Sequence, residues 1–232
     1  MLKKDLILRS PVASTLGIEN VNDGRFGAVL SRAGVGKTSF LVQIALTRLL
    51  ADEKILHVSL DDPMEKINLR YQEGYTNLVD SIGYVDPQKA VRVWEDIHPQ
   101  KVGISYTEAT FDTAKIREYL KSFKKADLEL PVIMVIDGLD FDQDCTGVLD
   151  ELEALHKEFD IFIWFSMKSH REEELSADGY PVQLEAHKER FDKAVFLKPV
   201  ENKIQAQILK DGDRTDQRFL LDPATMMAVD GQ

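Results

Sequence analysis

Residues 26–47 constrain this chain more than any other stretch. The apolar, strand-like FGAVL runs into Ser31-Arg32-Ala33-Gly34-Val35-Gly36-Lys37-Thr38, and SFLVQIALT follows with helical spacing, beginning at Ser39. A strand that turns through glycines into a helix aims successive backbone N–H groups, together with the positive end of the helix, at one spot. That arrangement is a P-loop, a nest for a di- or triphosphate. Within it Lys37 holds the β- and γ-phosphates as a point charge and Thr38 offers its hydroxyl to Mg2+. Gly34 and Gly36 allow the backbone to approach closely. Ser31 stands where the usual pattern begins with glycine, and a residue this small is tolerable there. Residues 31–39 are therefore the candidate nucleotide-binding segment.

The rest of the chain repeats the strand-then-helix alternation. Apolar or β-branched runs at 27–31, 54–60, 102–106, 132–137, 161–166, 194–198, 203–209 and 218–221 are separated by helical patterns at 37–50, 63–73, 87–96, 113–124 and 147–159. This order predicts an α/β fold with a mostly parallel twisted sheet and helices on both faces. Only residues 210–217 separate the last two strands, too few for a helical crossover, so an antiparallel hairpin closes the chain. Two segments resist assignment: 75–85, and the polar stretch 168–190, which reads as a loop. No repeat or Pro/Gly-rich linker interrupts the pattern, and residues 1–232 read as one domain.

Composition narrows the class further. An apolar share of 44% is too high for intrinsic disorder, and no apolar run approaches the roughly 18 residues of a membrane span. The start MLKKDLILRS lacks the features of a signal peptide, and the single Cys145 suits a reducing compartment, so a cytoplasmic location is expected. With 29 Lys and Arg against 40 Asp and Glu, the formal charge is −11, which argues against a surface built to neutralise nucleic-acid phosphates. The loops carry the same balance: 138–147 holds Asp140, Asp142 and Asp144 and no base, and 168–190 has more acids than bases.

A second apolar strand ends in an acid, PVIMVID, which puts Asp137 where a carboxylate can hold a Mg2+-bound water beside the P-loop. Asp140, Asp142 and Asp144 imitate half of a calcium loop, but Cys145 occupies the position that needs glycine. The five histidines show no ligand spacing; His57 lies inside a strand and reads as a core residue, as do Trp94 and Trp164.

These residues resemble the RecA-like ATPases, and within them the DnaB helicase core and the KaiC-like proteins. ILHVSLDDPMEKINLRY is similar to the family's second strand, where a Ser-Leu-Glu motif delivers the catalytic Glu and a helix ending in Arg follows. The resemblance thus assigns Asp61 to the water-orienting role, one methylene short, with Asp62 as its rival. VIMVID resembles the metal-binding strand, FIWFSMKSHRE the sensor strand, and the segment from residue 194 the closing hairpin. The resemblance implies ATP and Mg2+ as ligands, Lys37 and Asp61 as catalytic residues, Thr38 and Asp137 as the metal pair, and a homo-oligomer that could be a hexameric ring. Three departures stand out: Asp61 for Glu, Met167 after Ser166 where helicases carry Gln, and Lys210 followed by Asp211-Gly212-Asp213 where helicases carry Lys-x-Arg. Lys210 or Arg214 could reach a neighbouring subunit's phosphate or could be a solvated turn residue. Three readings stay open: a slow switch or assembly ATPase with an unidentified protein partner, a non-hydrolysing nucleotide-dependent module, and a DNA helicase or recombinase core, which the acidic loops disfavour.

Overall fold

The computed structural model describes residues 2–17, 21–170 and 175–229, apart from the side chains of residues 108 and 214. Two short helices come first, α1 (Leu2–Arg9) and α2 (Pro11–Thr15), which the strand-and-helix pattern did not reveal. Ser10 caps α2 by accepting from the Val12 amide, and Pro11 takes the first-turn position, where its missing N–H is not needed. Then follow β1 (Phe26–Ser31), α3 (Lys37–Leu50), β2 (Ile55–Ser59), α4 (Met64–Ser81), α5 (Pro87–Ile97) and β3 (Lys101–Ser105). The second half holds α6 (Thr113–Lys125), β4 (Ile133–Asp137), α7 (Thr146–Phe159), β5 (Phe162–Lys168), α8 (Val182–Glu185), β6 (Phe191–Val200), β7 (Lys203–Asp211) and β8 (Asp213–Leu221).

The strands form one sheet in the order β3-β2-β4-β5-β1-β6-β7-β8. All pairings from β3 to β6 are parallel, and β7 and β8 are antiparallel. Side chains alternate across the strands and feed two separate cores. Ile133 and Val135 of β4 join α1, α3 and α4 on one face, whereas Met134 and Ile136 join α6 and α7 on the other. Trp164 is fully buried on β5 and donates its indole N–H to the Val21 carbonyl, 2.9 Å. Gly27 makes room for it: a Cβ there would lie 2.6 Å from the ring.

Three sequence expectations need correction. The segment 75–85 is not irregular, because α4 continues to Ser81 with Ile67, Tyr71, Tyr75 and Leu78 buried at helical spacing. Gly74 punctuates that pattern without ending the helix; it packs against Val42 and Leu46 of α3. The closing hairpin has no eight-residue loop: β7 reaches Asp211, β8 starts at Asp213, and Gly212 turns the chain at φ +70°. Residues 168–190 contain structure, namely the end of β5, α8 and a 3-10 turn at Lys188–Arg190, with Arg171 and its neighbours to 174 outside the described residues.

Candidate functional site

The P-loop leaves the exit end of β1, in the middle of the parallel strands, with β5 on one side and β6 on the other. Ser31 is buried and fits the position that usually takes glycine; its hydroxyl donates to the Arg32 carbonyl, 2.8 Å, and its own carbonyl accepts from the Ser169 amide, 3.0 Å. Gly34 at φ +77° and Gly36 at φ +115° hold left-handed conformations that turn the loop, and Gly36 is the N-cap of α3. Lys37 Nζ lies inside the loop, donating to the carbonyls of Ser31, 3.2 Å, and Arg32, 3.4 Å. Burial pushes the Lys37 pKa below the ordinary lysine value; Asp137 opposes this, Lys168 adds to it and Asp61 opposes it.

Strand β4 delivers the second half of the site. Thr38 Oγ1 donates to Asp137 Oδ2, 2.7 Å, so the hydroxyl and carboxylate predicted to share a cation are in contact. Hard oxygen donors of this kind, with open space beside them, suit Mg2+, which retains several waters. Gly138, at φ +101°, follows Asp137; its amide donates to Ser166 Oγ, 2.8 Å, and a Cβ on it would lie 2.7 Å from Asp61 Cγ. The Asp61 carboxyl is therefore beside the metal-binding strand. Asp62 borders the same cavity, but its carboxylate is held by Lys66 at 2.8 Å, and its backbone N–H and C=O both bond Ser59 Oγ.

These groups open onto a cavity of about 780 Å3. No protein-family profile and no curated protein matches the chain. Among solved structures, the ATPase domain of a DnaB-like helicase aligns with a TM-score of 0.65 over 88% of this chain and 84% of that one, at 15% identity. The fold is RecA-like. At that identity the likeness speaks for the architecture alone, and the chemistry must come from the residues.

Within the RecA-like frame the departures find physical explanations. Met167 is fully buried among the α6–α7 core, on the far side of β5 from the cavity, while Ser166 and Lys168 on either side of it line the cavity. Lys168 thus brings a second cation near Lys37, which the acidic count of its loop concealed. Lys210 is neither solvated nor near the P-loop of its own chain. Its ammonium donates to the Lys188 carbonyl, 3.1 Å, and the hairpin tip is tied to the entry end of β6 by Gly212 N–H to Asp192 C=O, 2.8 Å. The Arg214 side chain lies outside the described residues. Asp140, Asp142 and Asp144 spend their carboxylates on local bonds: Asp140 accepts from the Asp142 amide, Asp144 from the Thr146 amide, and Asp142 pairs with His170 at 2.7 Å. Among the described residues no group of three or more His, Cys, Asp or Glu could hold a metal ion. No helix among them is long and apolar enough to cross a membrane.

Sequence reading missed the cavity's other walls, which are Gln43 on α3, the face of α4 carrying Arg70, Gly74 and Asn77, and the turn at 223–226. Met226, at φ +58°, comes within 3.0 Å of where a Gly36 Cβ would be. The signal was faint: one glutamine in an apolar helix, and a polar stripe at 70, 73 and 77 that looks like any solvated face.

Proposed function

We propose that this chain is a P-loop ATPase that binds Mg-ATP and hydrolyses it slowly, acting as a switch or assembly ATPase. The observation that carries the reading is the Thr38–Asp137 hydrogen bond, which joins P-loop and metal strand at one point with Lys37 beside them. In this reading the amides of residues 34–39 hold the phosphates, Lys37 exchanges its two backbone carbonyls for phosphate oxygens, and Thr38 with Asp137 holds the cation. Mg2+, when bound, neutralises charge that develops on the phosphates. Asp61 orients and deprotonates the attacking water; being a methylene shorter than glutamate, it holds that water further from its ideal place, which slows the step. Lys168 adds charge near the γ-phosphate, where Met167 adds none.

The −11 charge supports a protein partner rather than nucleic acid. The position of the β7–β8 tip, away from the chain's own P-loop, supports assembly into a homo-oligomer, a ring of six being the form that the DnaB and KaiC resemblance implies. Calorimetry with Mg-ATP tests the nucleotide site: Lys37→Ala should weaken binding at least tenfold, about 1.4 kcal/mol or more. Unchanged affinity would remove the P-loop assignment. Binding without phosphate release above the Lys37→Ala background would favour the non-hydrolysing module, for which Asp61 and Met167 also speak.

A further inference from the structure

The cavity has two ends, and triphosphate chemistry uses only one of them. Beyond the P-loop the space continues between Gln43, α4 and the turn at 223–226. Its walls are closely held. Gly74 lets α4 lie on α3, where a Cβ would meet Leu46 at 3.1 Å and Val42 at 3.3 Å. Asn77 Nδ2 donates to the Thr225 carbonyl, 3.3 Å, tying helix and turn together across the opening. Asp222 braces the turn from behind by accepting from the Ala224 and Thr225 amides, both at 2.9 Å.

Gln43 is the polar group these walls enclose. Only 1% exposed, it borders the cavity, and its Oε1 has no hydrogen-bond partner. Buried carboxamide oxygens are almost always paired, so one left unpaired beside open space marks a place for a donor from outside. The terminal torsion of glutamine is soft, so the carboxamide can present either atom to the cavity. Gln43 also stands six residues beyond Lys37 on α3, about 9 Å along the axis at 1.5 Å per residue, a distance that a ribose and base can span.

We propose that this end of the cavity is a nucleoside subsite and that Gln43 reads the base, its carboxamide pairing with the adjacent amino donor and ring-nitrogen acceptor of adenine. The inference rests on the Mg-ATP reading above and goes beyond it by assigning base recognition to α3 and α4. The test compares ligands that share the phosphates and differ in the rest: Mg-ATP, Mg-tripolyphosphate, and the Mg complex of purine riboside triphosphate, which lacks the amino group. In calorimetry the wild type should bind ATP at least tenfold more tightly than either of the others. Gln43→Met keeps side-chain length and helix propensity; it should lose about tenfold for ATP, lose nothing for tripolyphosphate, and no longer distinguish ATP from the purine riboside compound. Asn77→Ala, on the opposite wall, should weaken ATP and spare tripolyphosphate, and retained tripolyphosphate binding shows that each variant is folded. Equal wild-type affinity for ATP and tripolyphosphate, or for ATP and the purine riboside compound, overturns the inference while leaving the P-loop reading intact, as does a Gln43→Met loss shared by all three ligands. Failure of the wild type to bind any of them overturns both.

Discussion

His57 gives the most quantitative test of how this site is held. It sits fully buried in the middle of β2, four residues before Asp61, and its Nδ1 is 2.9 Å from the Tyr71 hydroxyl on α4. Its Nε2 is buried without a partner, so the ring has nothing to stabilise a second proton. Burial is the main cause of a pKa lowered from 6.5 to about 4; the Asp137 charge opposes the shift and Lys101 reinforces it. An unfolded chain takes up that proton near pH 6.5 and the folded one only near pH 4. The stability contributed by the neutral ring is therefore full above pH 6.5 and is lost as the pH falls toward 4. At 1.36 kcal/mol per pKa unit, lowering the pH from 7 to 5 should remove about 2 kcal/mol through this residue alone, out of about 3.4 kcal/mol at the acid limit. Other groups titrate as well, so the decisive quantity is a difference. His57→Gln keeps a neutral side chain that can bond Tyr71, and urea unfolding followed by tryptophan fluorescence at pH 7 and pH 5 should show a loss about 2 kcal/mol smaller than in the wild type. Equal losses in both proteins would mean that His57 is protonated in the folded chain and that the β2–α4 contact is not what the geometry implies.

Other outcomes follow from single residues. Asp61→Asn should abolish steady-state phosphate release while Asp61→Glu preserves or raises it, neither changing ATP affinity much; a dead Asp62→Asn beside a normal Asp61→Asn would exchange their roles. Single-stranded DNA should not bind appreciably at physiological salt, and submicromolar affinity by fluorescence anisotropy with a steep salt slope would restore the helicase reading. Gly27→Ala drives a methyl into the Trp164 ring, 2.6 Å away, and should destabilise the fold by about 1–3 kcal/mol in urea titration; a loss under about 0.5 kcal/mol would show that the ring moves aside freely.

What could be read in advance depended on whether a residue's role is local. The P-loop was legible because strand, glycine turn and helix are contiguous, and β4 because IMVID is buried at every position. The length of α4 was not, because Gly74 looks like a helix stop unless α3 is known to lie against it. The start of β8 was hidden for the opposite reason. It is the sheet's outer strand, so DRTDQ carries the charge of a loop while hydrogen-bonding to β7. At the site, Lys37, Thr38 and Asp137 declared themselves by motif. Lys168, Gln43 and the turn at 223–226 belong to it only through the meeting of β5, α3, α4 and the chain beyond β8, which no spacing in the sequence encodes.

The place of β1 between β5 and β6 also sets the order in which the protein can come into being. Phe26 pairs with Ile163, a separation of 137 residues, and Gly27 pairs with Lys193, 166 residues on. At about 5–20 residues per second, the ribosome takes roughly 7–27 s to supply the first of those partners after β1 is made. Throughout that interval FGAVL is a bare apolar strand, and the loop it carries has no frame to hold its shape. Closure across such long separations makes folding slow. Phosphate-binding geometry is thus a late product of synthesis, completed only when strands from the far end of the chain arrive on both sides of β1.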